Sequence, residues 1–205
     1  TVAGDPAPDP GTPANLIRNA ELTDWPNGVL VRGGPARFEL ARGWHARNAK
    51  SPAMLRAMAF PLDQEGAACS LTLAAPRVDD VCRLEAGIES RADLAGRRLT
   101  LSFEAAVSHG PLEAFRAPDD FAQIERIFMA PADRRAGEGV TIARAVLLTR
   151  EMRRFEFTFE APADLGDGPV LIAFDFKRAF AATLQRPSLT FAAANGEGAA
   201  ALAFE

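Results

Sequence analysis

The chain has 205 residues, of which 24% are charged, and a net charge of -4. That balance offers no basic surface for a polyanion, so nucleic acid is disfavoured as a partner. No uninterrupted apolar run approaches the ~20 residues that a membrane helix requires. Residues Thr1 to Ala14 carry four prolines, two glycines and almost no bulk. Such a stretch buries too little apolar area to offset its ordering entropy and reads as a linker or loose tail, with the folded domain from Asn15 to Glu205. A start at Thr1 with neither methionine nor an apolar signal region points to a processed protein or an excised domain, attached to something upstream.

Asn15 to Asn48 opens the folded part. Ala53 to Phe60 and Ala68 to Ala74 follow as short candidate strands around a polar turn. Val81 to Ser108 is the most regular stretch. Cys82, Leu84, Ala86 and Ile88 alternate with Arg83, Glu85 and Glu89; after a turn closed by Gly96, Leu99, Leu101, Phe103, Ala105 and Val107 alternate with Thr100, Ser102 and Glu104. Period two marks half-buried strands, and Leu94 in the turn is placed to plug the edge between two layers. Ser108 to Phe121 is broken by Gly110-Pro111 and Pro118 and reads as a rim loop. Ala122 to Met129, Val140 to Thr149, Arg153 to Glu160 and Pro169 to Lys177 continue the strand pattern, and Ser188 to Ala193 and Ala200 to Phe204 can close it.

Strands at roughly ten-residue spacing with Gly/Pro turns predict an all-β fold, a β-sandwich or jelly roll of two antiparallel sheets. Phe155, Phe157, Phe159, Phe174 and Phe176 are the expected heart of its interior. If Cys69 to Cys82 is a hairpin turning at Ala75-Pro76, its two cysteines face each other and a disulfide is sterically allowed; the alternative is two buried thiols.

Two motifs add a resemblance. Asn15-Leu16-Ile17-Arg18-Asn19 running on to Trp25, followed by Gly43-Trp44, resembles the opening of jelly-roll carbohydrate-binding modules of the CBM4/9 type, which also occur in phage tail and surface proteins. Arg83 to Glu89 with Leu94-Ala95-Gly96 and Leu99 to Phe103 is similar to a central signature of those domains. The resemblance implies a non-catalytic, galactose-binding-like module, secreted or at a cell surface, whose partner is a carbohydrate or a protein neighbour, a second copy of the chain included. It also implies that Trp25 and Trp44 serve packing. With no tyrosine and only two tryptophans, the ligand-binding candidates are a charged sheet face of Arg83, Glu85, Glu104, Asp175 and Lys177, together with Phe115 and Phe121 of the rim loop. Similar modules hold a structural calcium near the terminal strands, which would fall at Glu21 and Asp24; no other cofactor is implied.

Catalysis finds little support. His45 and His109 are the only histidines, there is no G-x-S-x-G, and no compact cluster offers a zinc set. A glycoside hydrolase would need two carboxylates across a cleft, drawn from Glu85, Glu104, Glu156 and Asp175. Ordinary cross-strand charge pairing explains that row better. The reading is therefore a carbohydrate-binding-like module; the alternatives are a structural or assembly domain and, last, a small hydrolase.

Overall fold

The structure, a computed structural model, describes residues 14–33, 36–48, 55–62, 68–75, 81–88, 94–108, 116, 121–132, 139–165, 168–177 and 180–192. The strands are β1 (Leu30–Gly33), β2 (Phe38–Glu39), β3 (Trp44–Asn48), β4 (Leu55–Pro61), β5 (Cys69–Ala75), β6 (Val81–Gly87), β7 (Arg98–Val107), β8 (Ala122–Pro131), β9 (Val140–Leu148), β10 (Arg153–Glu160), β11 (Val170–Lys177) and β12 (Phe180–Phe191). They form two six-stranded antiparallel sheets, in the orders β1-β4-β5-β12-β7-β10 and β2-β3-β6-β11-β8-β9. This is the all-β jelly-roll sandwich that the alternation predicts. Phe115, His109 and the closing strand expected at Ala200 to Phe204 lie outside the described residues.

The inward side chains of both sheets join in one apolar interior. Phe103 of the first sheet meets Phe174 of the second edge-to-face at 5.3 Å between centroids, and Phe176 stacks on Phe180 across the sheets at 4.6 Å. Offset and T-shaped ring pairs of this kind add about 0.5–1.5 kcal/mol each beyond the area they bury. One expectation needs correction. Phe155, Phe157 and Phe159 are half-buried rather than central. Their strand, β10, is the edge of its sheet, so their rings are covered from one flank only. Leucines and alanines of the inner strands fill the volume instead.

Of the two alternatives for the cysteines, the hairpin with a disulfide does not hold. Cys69 sits in β5 of the first sheet opposite Pro61, whereas Cys82 sits in β6 of the second sheet between Asn48 and Phe176. The chain crosses between the layers after β5 instead of making a hairpin, and no disulfide joins the two residues. The next crossing, from β6 to β7, carries the predicted plug. Leu94 is 1% exposed, and Gly96 takes a φ of +66° at the turn, a conformation natural to glycine.

The opening motif explains itself as a clamp. Asn15 Nδ2 donates to the Pro187 carbonyl at 2.9 Å, and its Oδ1 accepts from the amides of Ile17 at 3.1 Å and Leu189 at 3.0 Å. Asn19 Oδ1 accepts from the Thr23 and Asp24 amides while its Nδ2 donates to the Asp24 carbonyl. Fully buried Trp44 donates its indole N–H to the Arg18 carbonyl at 3.0 Å, and Trp25, partly buried against the core, donates to Leu22. Gly43 (φ +79°) precedes Trp44 because a Cβ there would lie 2.8 Å from Arg18 Cβ. Both tryptophans are thus packing residues.

The strand expected at Ser188 to Ala193 is the second half of a longer one. β12 begins at Phe180 and crosses a bulge between Gln185 and Ser188, where Arg186 has a φ of +49°. A bulge lets Pro187 sit inside a strand without removing a needed ladder bond.

Candidate functional site

Cross-strand register decides which outward side chains meet. On the second sheet, Arg47 of β3 lies opposite Arg83 of β6, Arg83 opposite Asp175 of β11, Asp175 opposite Arg126 of β8, and Arg126 opposite Arg144 of β9. These five residues form one row across five adjacent strands. The neighbouring row runs Glu39, His45, Glu85, Ala173, Phe128 and Thr141.

The centre of the site is a charge cluster on an aromatic ring. Arg83 donates Nε and Nη2 to the two oxygens of Asp175 at 2.6 and 3.0 Å, and Arg126 Nη2 adds a bond to Asp175 at 3.3 Å. Both Arg83 and Asp175 side chains are only 12% exposed, in contrast to a surface ion pair. The guanidinium carbons of Arg83 and Arg126 stand 4.8 and 4.1 Å from the centroid of Phe128. That ring is buried beneath them and continues into an apolar floor of Ala130, Leu171 and Ala173. Partly desolvated cation–π contacts contribute about 0.5–2 kcal/mol and hold the two guanidinium groups in place.

Glu85 was expected to point outward into solvent. It does face outward, but it is 7% exposed and accepts a 2.6 Å bond from Arg37 Nε. His45 lies beside it, half-buried, with its pKa lowered below the ordinary 6.5 chiefly by burial and next by the positive charge of Arg37. Lys177 pairs with Glu125 at 2.8 Å where a bulge in β8 turns Glu125 outward. Phe121, just before β8, is 52% exposed beyond the end of this face.

The candidates therefore divide. Arg83, Glu85, Asp175 and Lys177 share the outer face of the second sheet. Glu104 does not join them: it lies on the outer face of the first sheet, on the other side of the sandwich, holding Gln185 at 2.7 Å and Arg186 at 3.3 Å. Strict alternation is the same on both sheets, so sequence gives no sign of which sheet a strand joins. Glu156 also belongs to the first sheet, on the same face as Glu104, so the four carboxylates divide two and two between opposite faces, and Glu85 and Asp175 on the second sheet are each already engaged by arginine.

Asp24 is ion-paired with Arg42, whose guanidinium that hydrogen bond and charge hold above its ordinary pKa. Glu21 lines a cavity of about 240 Å³ with Asn15, Cys69, Arg186 and Ser188. Among the described residues no group of three or more His, Cys, Asp or Glu side chains converges.

Arg47, Arg126, Arg144 and Phe128 were not singled out in the sequence. Their signal was present as outward-parity positions, but parity slips in β8 just before Arg126 and in β9 between Thr141 and Ala143.

No family model matches the chain, and no curated protein matches it. Solved structures similar to it include the Stig cyclase FisC from Fischerella sp. TAU in complex with (3Z)-3-(1-methyl-2-pyrrolidinylidene)-3H-indole, at 14% identity and a TM-score of 0.56, covering 90% of this chain and 100% of that one. They also include the CBM22-1 xylan-binding domain of Paenibacillus barcinonensis Xyn10C, at 13% identity and a TM-score of 0.46 over 73% of this chain and 85% of that one. A third is the enzymatically active domain of bacteriophage CBA120 tailspike protein 4, at 13% identity and a TM-score of 0.46; the match covers 87% of this chain but 21% of that one. At such identities the likeness is one of fold, the two-sheet sandwich.

Proposed function

We propose that the chain is a non-catalytic module that binds a saccharide on the outer face of its second sheet, as part of a larger exported or surface protein. The observation that carries this reading is the Arg83–Asp175–Arg126 cluster seated on Phe128. A fold does not need charges this well buried on a sheet's outer face, and a fixed array of forked donors suits hydroxyl and carboxyl oxygens. The Asn15-to-Trp44 motif, with its resemblance to carbohydrate-binding modules, supports the same reading.

The test is a polysaccharide array probed with the full chain, followed by titration calorimetry on any polymer that binds. Saturable binding weakened by Arg126→Ala and untouched by Arg186→Ala, on the opposite face, is the expected result. A second reading, assembly against a protein neighbour, draws on Phe121, Leu147 and Met152, large apolar side chains left exposed around the ends of β8 and β9. Silence across the array, together with a defined oligomer by light scattering, would establish that reading in place of the first.

A further inference from the structure

The row on the second sheet is unbalanced. Arg47, Arg83, Arg126 and Arg144 stand in register with a single carboxylate, Asp175, on a chain whose net charge is -4. Two of its cross-strand pairs, Arg47 with Arg83 and Arg126 with Arg144, set like charges directly opposite each other. Such pairs are destabilising, and nothing about sandwich formation calls for them. At about 4.8 Å between strands the row spans roughly 19 Å. Of the flanking carboxylates, Glu85 is committed to Arg37 and Glu125 to Lys177, while Glu39 stands beside His45.

The donors are also not used up. Each guanidinium has five N–H groups in a fixed fork. The Arg47 Nε is buried and, among the described residues, has no hydrogen-bond partner. No ion pair is formed by Arg47 or Arg144 among the described residues, while Arg83 and Arg126 share one aspartate. A buried guanidinium N–H without an acceptor is costly, and among the described residues neither Arg47 nor Arg144 is neutralised by a protein carboxylate.

From this we infer that the row takes a carboxylate-bearing ligand, and, resting on the saccharide reading above, that the saccharide is acidic, a uronate polymer. The forked geometry of guanidinium matches a planar carboxylate with two parallel bonds. Net charge averages over the chain and hides this row, which is why composition alone argued against any polyanion. Asp175 fits the proposal as the spacer that fixes Arg83 and Arg126 and leaves the row's two ends open.

The experiment titrates the full chain with polygalacturonate, the same polymer after carboxyl reduction, dextran sulfate, poly-glutamate and a single-stranded oligonucleotide, at low and high salt. Polygalacturonate is expected to bind, more weakly as salt rises, and the reduced polymer to lose most of the affinity. Arg47→Gln and Arg144→Gln should each weaken binding about tenfold, the scale of one charge-assisted hydrogen bond, with unchanged urea midpoints showing that the fold is intact. Equal affinity for the reduced polymer, with no effect of the arginine variants, would overturn the inference and leave the saccharide reading standing. Poly-glutamate binding as tightly as polygalacturonate would uphold the carboxylate row and sink the saccharide reading. Dextran sulfate or the oligonucleotide binding in preference to polygalacturonate would overturn the carboxylate assignment, and silence from every polymer would overturn both readings.

Discussion

Asn15 is a single side chain on which the entry of the chain into the sandwich depends. Its amide makes three hydrogen bonds, one to the Pro187 carbonyl and two from the amides of Ile17 and Leu189. Ile17 and Leu189 are both buried, at 3% and 0% exposure, so truncation at Asn15 strands their N–H groups away from water. Three bonds at about 0.5–1.5 kcal/mol each give a loss of about 2–4 kcal/mol for Asn15→Ala. With an m-value near 2 kcal/mol/M for a chain of this size, the urea midpoint should fall by about 1–2 M. Asn15→Asp keeps the acceptor and loses only the bond to Pro187, so it should cost about a third as much. Equilibrium unfolding in urea, followed by tryptophan fluorescence, measures both. A midpoint for Asn15→Ala within about 0.2 M of the parent would refute the clamp.

Other substitutions test other parts of the fold. Gly43→Ala combines a positive φ with a Cβ pressed against Arg18 and should cost about 1–3 kcal/mol; Gly96→Ala, with nothing within 4 Å, should cost less, and the reverse order would contradict the packing described. Asp175→Ala leaves Arg83 and Arg126 facing each other in a partly buried site and should destabilise by about 2–4 kcal/mol, whereas Arg153→Ala, which breaks an exposed pair with Glu151, should change stability by less than about 0.5 kcal/mol; the two urea midpoints decide. His45 has a folded pKa below its ordinary 6.5. The unfolded chain therefore binds the proton more readily, and the stability this residue contributes is present above that value and lost as the pH falls through it. Midpoints measured from about pH 8 to 5 should decline more steeply for the parent than for His45→Gln, and parallel curves would rule this linkage out.

Much of this fold could be read from alternation. The runs Cys82 to Ile88 and Leu99 to Val107 put their apolar members in the interior as expected, since period two needs no knowledge of neighbours. What could not be read was partnership. Cys69 and Cys82 look like hairpin mates in sequence and belong to different layers; Glu104 looks like Glu85 and faces the opposite way out of the sandwich. Phe155, Phe157 and Phe159 have the same pattern as Phe174 and Phe176, but whether a strand is flanked on one side or two is a property of sheet order, and that alone separates half-buried from buried. The arginine row was hidden for the same reason: it consists of one residue from each of several distant segments, brought into line only by register.

The placement of β12 has a consequence for how the molecule comes together. The last strand in the described chain is not an edge; it lies between β5 and β7 and hydrogen-bonds to both. Until Phe180 to Phe191 has left the ribosome, the first sheet exists as two halves with raw borders, and Asn15 has nothing to grip. Such sequence-distant closure slows folding and exposes unpaired strands while synthesis is under way. A nascent chain halted before residue 180 should therefore remain protease-sensitive and dependent on chaperones, and gain protection only when that final segment emerges.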